Sequence, residues 1–223
     1  MKLPAIFDTA PLLYLITNRL QFREGAASPA ADCLARQLEV IDQVARQGPL
    51  LMQIREKDLS DREVHDFAQA VMRCVRPHGG HTLINDRIDV ALAAGAAGVH
   101  LPSRSPGPGV AREMARRQGR EDFLIGVSTH TADEVARAEA EGADFVVFGP
   151  VFPLISKKAA GPVAGLGELA RVCRAVSIPV LGLGGIEAGN VDAVLQAGAA
   201  GIAGISLFAE PENVAALRSR FAE

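Results

Sequence analysis

Residues 94–99 read Ala-Gly-Ala-Ala-Gly-Val, and similar runs of small residues recur at 141–146 and 197–202. Each run follows an amphipathic stretch and precedes a short apolar one, so we interpret it as the end of a helix and the start of a strand. The first glycine is typical of the left-handed residue that ends a helix, and the small residues after it permit a tight entry into a sheet. The runs stand about 50 residues apart, which corresponds to about two strand–helix units of an α/β barrel.

Short apolar and longer amphipathic segments alternate outward from these runs over the whole chain, the pattern of βα units with a parallel sheet. The predicted strands lie near Leu12–Ile16, Leu50–Ile54, Thr82–Ile84, Gly98–His100, Phe123–Val127, Phe145–Phe148, Val180–Leu183 and Gly201–Ile205. The predicted helices lie near Ala31–Arg46, Asp61–Arg76, Asp89–Ala94, Val110–Gln118, Ala132–Glu141, Leu166–Val176, Asn190–Ala197 and Glu212–Phe221.

Eight such pairs predict a (βα)₈ TIM barrel with a parallel eight-stranded sheet, formed by residues 1–223 as a single domain. Residues 1–10 precede the first strand and are interpreted as an N-terminal extension. A doubly wound open sheet is the main alternative. It explains the alternation, but it accounts less naturally for eight strands that end in a glycine-rich pair.

Composition and charge exclude several classes of partner. The net charge is −3 and no long basic run is present, so we expect no nucleic-acid partner. Cys33, Cys74 and Cys173 are too scattered for a disulfide framework or a zinc site. No apolar run approaches the ~20 residues that a membrane-spanning helix needs. We therefore expect a cytoplasmic protein without a membrane partner, and the sequence is compatible with a homodimer.

Charged side chains follow the second strand, where the sequence reads QIREK over residues 53–57. Strand alternation sends Gln53, Arg55 and Lys57 to one side. Two cations at the mouth of a barrel suit a phosphate or diphosphate, and Arg55 can bind one with two hydrogen bonds. The alternative is a solvated ion-pair cluster with Glu56 and Asp58, and this motif alone does not separate the two interpretations.

Asn85 and Asp86 directly follow the third apolar run. They could reach a diphosphate and its Mg²⁺, since Mg²⁺ binds through one or two carboxylates together with substrate phosphate oxygens. A turn built by Asn-Asp is the alternative. Asp89 is expected to cap the next helix.

The fifth strand is followed by Ser128 and His130, which we expect to face the cavity. Thr131 and Glu134 are spaced as a capping box for the next helix. A lone histidine near a helix start is more often structural than catalytic, so this position by itself does not identify a proton carrier.

Residues 149–165 form a long connection after the sixth strand, with three prolines and the adjacent Lys157 and Lys158. Loops of more than ~12 residues in compact domains usually cover or bind a ligand. We therefore interpret 149–165 as an active-site loop, the alternative being a disordered surface loop.

Glycines follow the seventh strand as Gly184-Gly185, and Ser206 follows the eighth. Backbone N–H groups of such glycines can bind a phosphate, and the loops after strands seven and eight are the recurrent phosphate site of this fold. The sequence therefore predicts a phosphorylated small-molecule substrate.

Taken together, these motifs resemble the family of thiamine phosphate synthases and their TenI-like thiazole tautomerase relatives. The resemblance covers nearly the whole chain. It rests on YLIT (14–17), QIREK (53–57), INDRIDVALAAGAAGVHLP (84–102), GVSTHTADEV (126–135), GADFVVFGPVF (142–152), SKK (156–158), IPVLGLGGI (178–186) and GAAGIAGIS (198–206).

The resemblance implies a transferase of thiamine biosynthesis that joins a pyrimidine diphosphate to a thiazole phosphate and releases pyrophosphate. It implies that Gln53 binds the pyrimidine and that Ser156 positions the thiazole. Ser128 would lie near the reacting centre, and Asp86 would bind Mg²⁺. The diphosphate ligands would be Arg55, Lys57, Asn85 and Lys157, and the ligands of the thiazole's phosphate would be Gly184, Gly185 and Ser206.

Two positions depart from the synthase pattern. Ser105 stands about where synthases have a second metal-binding aspartate, and Arg104 adds positive charge nearby. Leu154 replaces the first of two hydroxyl residues in the loop. The LPS-x-S segment (101–105) is similar to that of the tautomerases, in which a histidine at the position of His130 carries the proton.

Synthase activity is therefore the expected function, with His130 as the catalytic residue of the tautomerase alternative. The retained Arg55, Lys57, Asp86 and Lys157 favour the synthase. A third interpretation is a non-catalytic paralogue that binds thiazole phosphate or thiamine phosphate. Another sugar-phosphate barrel enzyme is disfavoured by QIREK and SKK.

Overall fold

The structure is a computed structural model that describes residues 3–9, 11–23, 29–153 and 162–221. In these ranges, eight parallel strands close a barrel in chain order, and the last strand pairs with the first. The strands are β1 (Leu12–Ile16), β2 (Leu51–Ile54), β3 (His81–Asn85), β4 (Gly98–Leu101), β5 (Leu124–Thr129), β6 (Phe145–Phe148), β7 (Val180–Leu183) and β8 (Gly201–Gly204). The predicted (βα)₈ TIM barrel with its parallel eight-stranded sheet is confirmed.

Helices follow the strands and cover the outside of the barrel. They are α1 (Ala30–Ala45), α2 (Asp61–Val75), α3 (Ile88–Ala93), α4 (Pro108–Arg117), α5 (Ala132–Ala140), α6 (Gly165–Ala175), α7 (Val191–Gln196) and α8 (Pro211–Arg220). In α2, Phe67, Val71 and Val75 recur at helical spacing and are buried. In the described part of the chain, no helix is both long and apolar enough to cross a membrane.

Alternate residues of each strand face two different cores. Leu12, Tyr14 and Phe145 belong to a cluster inside the barrel. Leu13 and Leu15 belong to a larger cluster between the strands and the helices. Because both faces of the strands are buried, the strands read as continuous apolar runs. This double burial is the reason that apolar runs alone located them.

The three small-residue runs end helices as predicted. Gly95, Gly142 and Gly198 have φ angles of 65°, 88° and 97°. In each run, the N–H after the glycine donates to the carbonyl five residues earlier, with N···O distances of 2.9, 2.9 and 3.4 Å. This pattern is the Schellman motif, which satisfies the last carbonyls of a helix and turns the chain toward the next strand.

Among the strands, the predicted boundaries differ most from the structure at β5. This strand passes its predicted end at Val127 and continues to Thr129, because Ser128 and Thr129 both pair with β6. Ser128 is therefore held in the barrel wall and not in a loop. At β8 the strand ends at Gly204 and not at Ile205.

The predicted N-terminal extension contains a 3₁₀ helix, Ala5–Asp8. Ile6 is buried and belongs to the inner cluster with Leu12. The Phe7 ring lies 5.6 Å from the ring of Phe145, measured between centroids. Leu12 and Phe145 are the first residues of β1 and β6, so the extension packs against the amino end of the barrel interior.

Candidate active site

The carboxyl ends of the strands bring the predicted site residues to one end of the barrel, where enzymes of this fold carry their active sites. The structure places Gln53 in β2, Arg55 and Lys57 after β2, Asn85 at the end of β3, Asp86 after β3, Ser128 in β5, Gly184 and Gly185 after β7, and Ser206 after β8. Ser156 and Lys157, together with Leu154, lie outside the described residues.

Four polar side chains form a hydrogen-bonded chain through the barrel interior, which we call the relay: Gln53, Tyr14, His100 and Ser128. Gln53 Nε2 lies 3.1 Å from the Tyr14 hydroxyl, which lies 3.1 Å from His100 Nδ1. His100 Nε2 lies 2.8 Å from Ser128 Oγ. Burial raises the pKa of Tyr14 well above its usual value. Burial, together with the charge of Arg55, lowers the pKa of His100 to about 3.

The sequence interpretation missed His100 as a site residue. A signal was available, because His100 alternates with Val99 and Leu101, which face the outer core. The alternation predicts that the imidazole points into the barrel. The contact with Tyr14 could not be found in this way, because it joins residues from strands on different sides of the barrel.

Arg19 settles the pairing of the acidic residues beside Lys57. Its guanidinium lies 3.1 Å from Glu56 and 2.7 Å from both carboxylate oxygens of Asp58. Arg19 and Glu56 are almost fully buried. These hydrogen bonds of Glu56 and Asp58 therefore go to Arg19, and in the described ranges neither carboxylate accepts one from the Arg55 guanidinium.

Arg55 stands half-buried at the end of β2. Its backbone N–H donates to Thr17 Oγ1 at 2.8 Å, and its guanidinium makes no hydrogen bond to any residue in the described ranges. Burial lowers the pKa of Arg55, and the nearby charge of Arg104 lowers it further while Glu56 opposes the shift. The group remains a cation at neutral pH because an arginine pKa starts so high.

Asp86 occupies a constrained turn at the end of β3. Its φ angle is 67°, in the left-handed region, and its N–H donates to the carbonyl of His100 at 2.9 Å. The hydroxyl of Ser105 donates to Asp86 Oδ1. The position where the synthase pattern has a second carboxylate is therefore filled by a hydroxyl that donates to the first carboxylate.

A cleft of about 230 Å³ opens beside this turn. Its lining includes Glu56, Lys57, Asn85, Asp86, Arg87 and Arg104. Arg87 pairs with Asp61 and Asp89 at the edge of the cleft. The expectation that Asp89 caps α3 is wrong, because Arg87 is the N-cap residue and the Asp89 carboxylate instead accepts from its guanidinium at 2.9 and 2.7 Å.

The donors around Asp86 fit a Mg²⁺ ion only together with substrate oxygens. In the described ranges, no group of three or more His, Cys, Asp or Glu side chains is placed to hold a metal. Asp86 contributes one carboxylate, and Mg²⁺ accepts one or two carboxylates when phosphate oxygens and waters complete its shell. The described His, Cys, Asp and Glu side chains therefore do not form a metal site on their own.

Gly184 and Gly185 are needed where the connection after β6 crosses the end of β7. Their φ angles are 96° and 62°. A Cβ on Gly184 would lie 2.7 Å from Pro150 Cβ, and one on Gly185 would lie 2.6 Å from the Pro153 carbonyl oxygen. The N–H of Phe152 donates to the carbonyl of Gly184 at 3.0 Å. These glycines therefore have a packing role, which does not test their predicted contact with phosphate.

His130 lies at the rim, exposed and apart from the relay. Its Nδ1 lies 2.6 Å from the Gly149 carbonyl oxygen and so donates to it. The predicted capping box is present only in part. Thr131 Oγ1 accepts from the N–H of Glu134 at 3.2 Å, but the Glu134 carboxylate accepts from the N–H of His130 and not of Thr131.

A larger cavity, of about 630 Å³, lies at the opposite end of the barrel. It is lined by Arg112, Asp144 and Ser177 among others, and by none of the predicted site residues. Arg112 pairs with Asp144 at 2.8 Å, and burial raises the pKa of Asp144. The amino end of a TIM barrel contributes mainly to stability, so the candidate active site is at the carboxyl end, where Lys57, Asn85 and Asp86 line the smaller cleft.

Comparison with known proteins gives a consistent result. The family model for thiamine monophosphate synthase matches residues 26–208. A thiamine-phosphate synthase of Roseiflexus is 36% identical over 209 residues, covering 93% of this chain and 83% of the relative. One from Methanocella arvoryzae is 44% identical over 166 residues, covering 74% and 76%. The solved thiamine phosphate pyrophosphorylase of Pyrococcus furiosus superposes with a TM-score of 0.77 at 29% identity, covering 96% of this chain and 98% of that one.

Proposed function

The chain belongs to the thiamine monophosphate synthase family, and from this premise we propose that the strand-end site joins a pyrimidine diphosphate to a thiazole phosphate. The chain acts in thiamine biosynthesis as a thiamine phosphate synthase, a transferase that releases pyrophosphate. In this reaction the bond between the pyrimidine methylene carbon and the diphosphate oxygen breaks, and the diphosphate leaves with the electron pair. The lone pair of the thiazole nitrogen then forms the new C–N bond.

One observation carries the assignment of the diphosphate site. Arg19 takes the hydrogen bonds of Glu56 and Asp58, which leaves the Arg55 guanidinium without a hydrogen bond to an acid in the described ranges. Ile54 pairs with Ile84 in the sheet, so Arg55 and Asn85 follow side by side. A half-buried guanidinium beside an amide suits a diphosphate, which accepts two parallel hydrogen bonds from arginine.

The remaining contacts of the diphosphate follow from the cleft beside Asp86. In the proposed complex, Arg55, Lys57 and Asn85 hold the diphosphate, and Lys157 of the loop adds a further charge. The three positive charges, of Arg55, Lys57 and Lys157, would stabilise a leaving group whose negative charge increases as the C–O bond breaks.

Asp86 is the proposed protein ligand of Mg²⁺, with the diphosphate oxygens as its other anionic ligands. When bound, Mg²⁺ supplies further neutralisation of the departing charge. Because Asp86 is the single carboxylate of the proposed site, we expect Mg²⁺ to bind together with the diphosphate and only weakly without it.

The pyrimidine is assigned to the inner side of the site, within the barrel, and the thiazole to the outer side, near the loops. Gln53, which is buried in the barrel, is proposed to bind the pyrimidine, and Ser128 is proposed to lie at the reacting centre. Ser156 is proposed to position the thiazole, with Gly184, Gly185 and Ser206 around its phosphate. Their position after β7 and β8 supports this assignment, because phosphate sites recur there in this fold.

A thiazole tautomerase is the second candidate. The Ser105–Asp86 hydrogen bond favours the tautomerase, because this bond occupies a carboxylate oxygen that a metal would need. His130 would then carry the proton. Its Nδ1 is held by Gly149, while its Nε2 has no hydrogen bond to a described residue. An imidazole is suited to such proton transfer because its pKa lies near neutral pH.

The decisive experiment is an incubation of the purified protein with pyrimidine diphosphate, thiazole phosphate and Mg²⁺, following thiamine phosphate and pyrophosphate. We expect metal-dependent formation of both products, and loss of both in Arg55→Ala. Arg46→Ala is the matched control, since Arg46 is exposed at the far end of α1 and pairs with Asp42.

Absence of product would overturn the synthase. Consumption of a thiazole carboxylate phosphate tautomer would then identify the tautomerase. Binding of thiazole phosphate or thiamine phosphate without turnover of either substrate would identify the non-catalytic paralogue.

A further inference from the structure

Only the Ser128 end of the relay is partly exposed, whereas the Gln53 end, which is proposed to bind the pyrimidine, is buried. Tyr14, Gln53 and His100 have relative exposures of 0%, 2% and 1%, whereas Ser128 is only partly buried. Polar groups buried to this degree are paired in folded proteins, and each hydrogen-bond distance in the relay is between 2.8 and 3.1 Å. The relay therefore connects the interior of the barrel to a single hydroxyl at the strand ends.

The direction of the relay follows from counting hydrogens. Gln53 Nε2 is only a donor, so the Tyr14 oxygen accepts from it. The one hydrogen of the Tyr14 hydroxyl is then left to donate to His100 Nδ1. A proton on Nδ1 would leave that hydroxyl hydrogen without an acceptor in a fully buried place, which costs about 1–3 kcal/mol.

Nδ1 therefore accepts, and the imidazole carries its proton on Nε2. That N–H donates to Ser128 Oγ at 2.8 Å. Since Ser128 Oγ receives a hydrogen from inside the barrel, its own hydrogen is left to point toward the site. The hydroxyl is thus held as a donor before any substrate arrives.

We infer that Tyr14 and His100 are positioning residues, which hold the Ser128 hydroxyl as a hydrogen-bond donor toward an oxygen of the departing diphosphate. This inference rests on the proposed synthase function, because that reaction places increasing negative charge on an oxygen next to the reacting carbon. A donor oriented in advance stabilises such charge without reorganisation during the reaction. It therefore raises kcat more than it lowers KM.

The tautomer of His100 tests the direction of the hydrogen bonds in the relay, and this test requires no enzymatic activity. Long-range ¹H–¹⁵N correlation spectra of the full chain distinguish a neutral imidazole protonated at Nε2 from one protonated at Nδ1. We expect the Nε2–H form of His100, assigned by loss of its signals in His100→Gln. Should that variant not fold, single substitutions of the other four histidines assign the signals by elimination. Protonation at Nδ1 would mean that the relay runs in reverse and would overturn the inference.

Tyr14→Phe tests the positioning role, because it removes one hydroxyl and keeps the ring that packs edge-on against Phe145. We expect a mixture of His100 tautomers, a kcat lower by about tenfold and an almost unchanged KM for the pyrimidine diphosphate. Thr129→Val is the matched control, since it removes a buried hydroxyl from the same strand as Ser128 but outside the relay.

The two variants separate positioning from a general loss of stability. A wild-type kcat in Tyr14→Phe, or an equal loss of kcat in Thr129→Val, would overturn the positioning role. A change in KM alone would exclude the diphosphate oxygen as the acceptor. If the wild-type protein made no thiamine phosphate, the proposed function would fail, whereas the tautomer spectra would still decide the direction of the relay.

Discussion

Ser105 and Asp86 share a hydrogen bond at the point where the synthase pattern has two carboxylates. A hydroxyl cannot supply the negative charge of a second carboxylate, so the proposed Mg²⁺ site has only Asp86 and the substrate as anionic ligands. Arg104, which lines the same cleft, further disfavours a cation in the absence of a diphosphate. If the proposed site binds Mg²⁺, the residue at position 105 should therefore set how strongly that binding depends on substrate.

Ser105→Asp should lower the Mg²⁺ concentration needed for half-maximal rate by about tenfold, because it adds a charged ligand beside Asp86. The measurement is the initial rate as a function of Mg²⁺ at a fixed concentration of pyrimidine diphosphate. Ser103→Asp is the control, since it adds the same charge to an exposed position of the same loop. Equal Mg²⁺ dependence in the two variants would show that Asp86 does not bind the metal.

His130→Asn should leave synthase activity near the wild-type rate and abolish tautomerisation. The asparagine amide can keep a donor to the Gly149 carbonyl, but it cannot carry a proton at neutral pH.

Lys157→Ala should instead lower the synthase kcat by about 100-fold, because it removes a positive charge proposed to stabilise the departing diphosphate. Both activities are measured on both variants, and the reverse pattern would contradict both assignments.

At the scale of elements, the connection after β6 lies against the end of β7. The N–H of Val151 donates to the carbonyl of Leu183 at 2.8 Å, and that of Phe152 donates to Gly184 at 3.0 Å. Pro150 lies over Gly184, so close that no side chain fits between them. The start of the loop is therefore held by the same two glycines that the sequence assigns to phosphate binding.

Gly184→Ala should destabilise the protein by about 2 kcal/mol, because a non-glycine residue in the left-handed region is strained and its Cβ would clash with Pro150. Chemical denaturation measures the free energy of unfolding. Gly189→Ala is the control, since a Cβ there meets no atom within 4 Å. A loss of stability no larger than in that control would contradict the packing role of Gly184.

At the scale of the whole molecule, the two ends of the barrel have different roles. Ile6 and Phe7 close the amino end against the inner cluster, while the relay and the cleft lie toward the carboxyl end. Function in this fold is concentrated at the carboxyl end, and the amino end contributes mainly to stability. Substitutions at the amino end should therefore change mainly stability, and substitutions at the carboxyl end should change mainly activity.

Ile6→Ala should lower the free energy of unfolding by about 3 kcal/mol, through lost apolar burial and a residual cavity. Under conditions where the protein remains folded, kcat should stay at the wild-type value. Leu20→Ala, at a side chain that is 52% exposed, should change stability by less than about 0.5 kcal/mol. A large loss of kcat in folded Ile6→Ala would show that the two ends are coupled.

The sequence by itself determined the barrel and most of the residues at its carboxyl end. Apolar runs, amphipathic periods and terminal glycines such as Gly95 are local patterns, and they encode strands and helices directly. Since parallel strands all end on the same side, the polar residues that follow them, such as Arg55 and Asp86, had to converge.

Only the tertiary structure decided which of those polar groups are already paired. Tyr14 reaches His100 across 86 positions of sequence, and Arg19 reaches Glu56 across 37. Such pairings depend on barrel closure and on the register between strands, which no local pattern contains. For the same physical reason, the hydroxyl of Ser105 could be recognised from the sequence as a missing carboxylate, but its hydrogen bond to Asp86 could not.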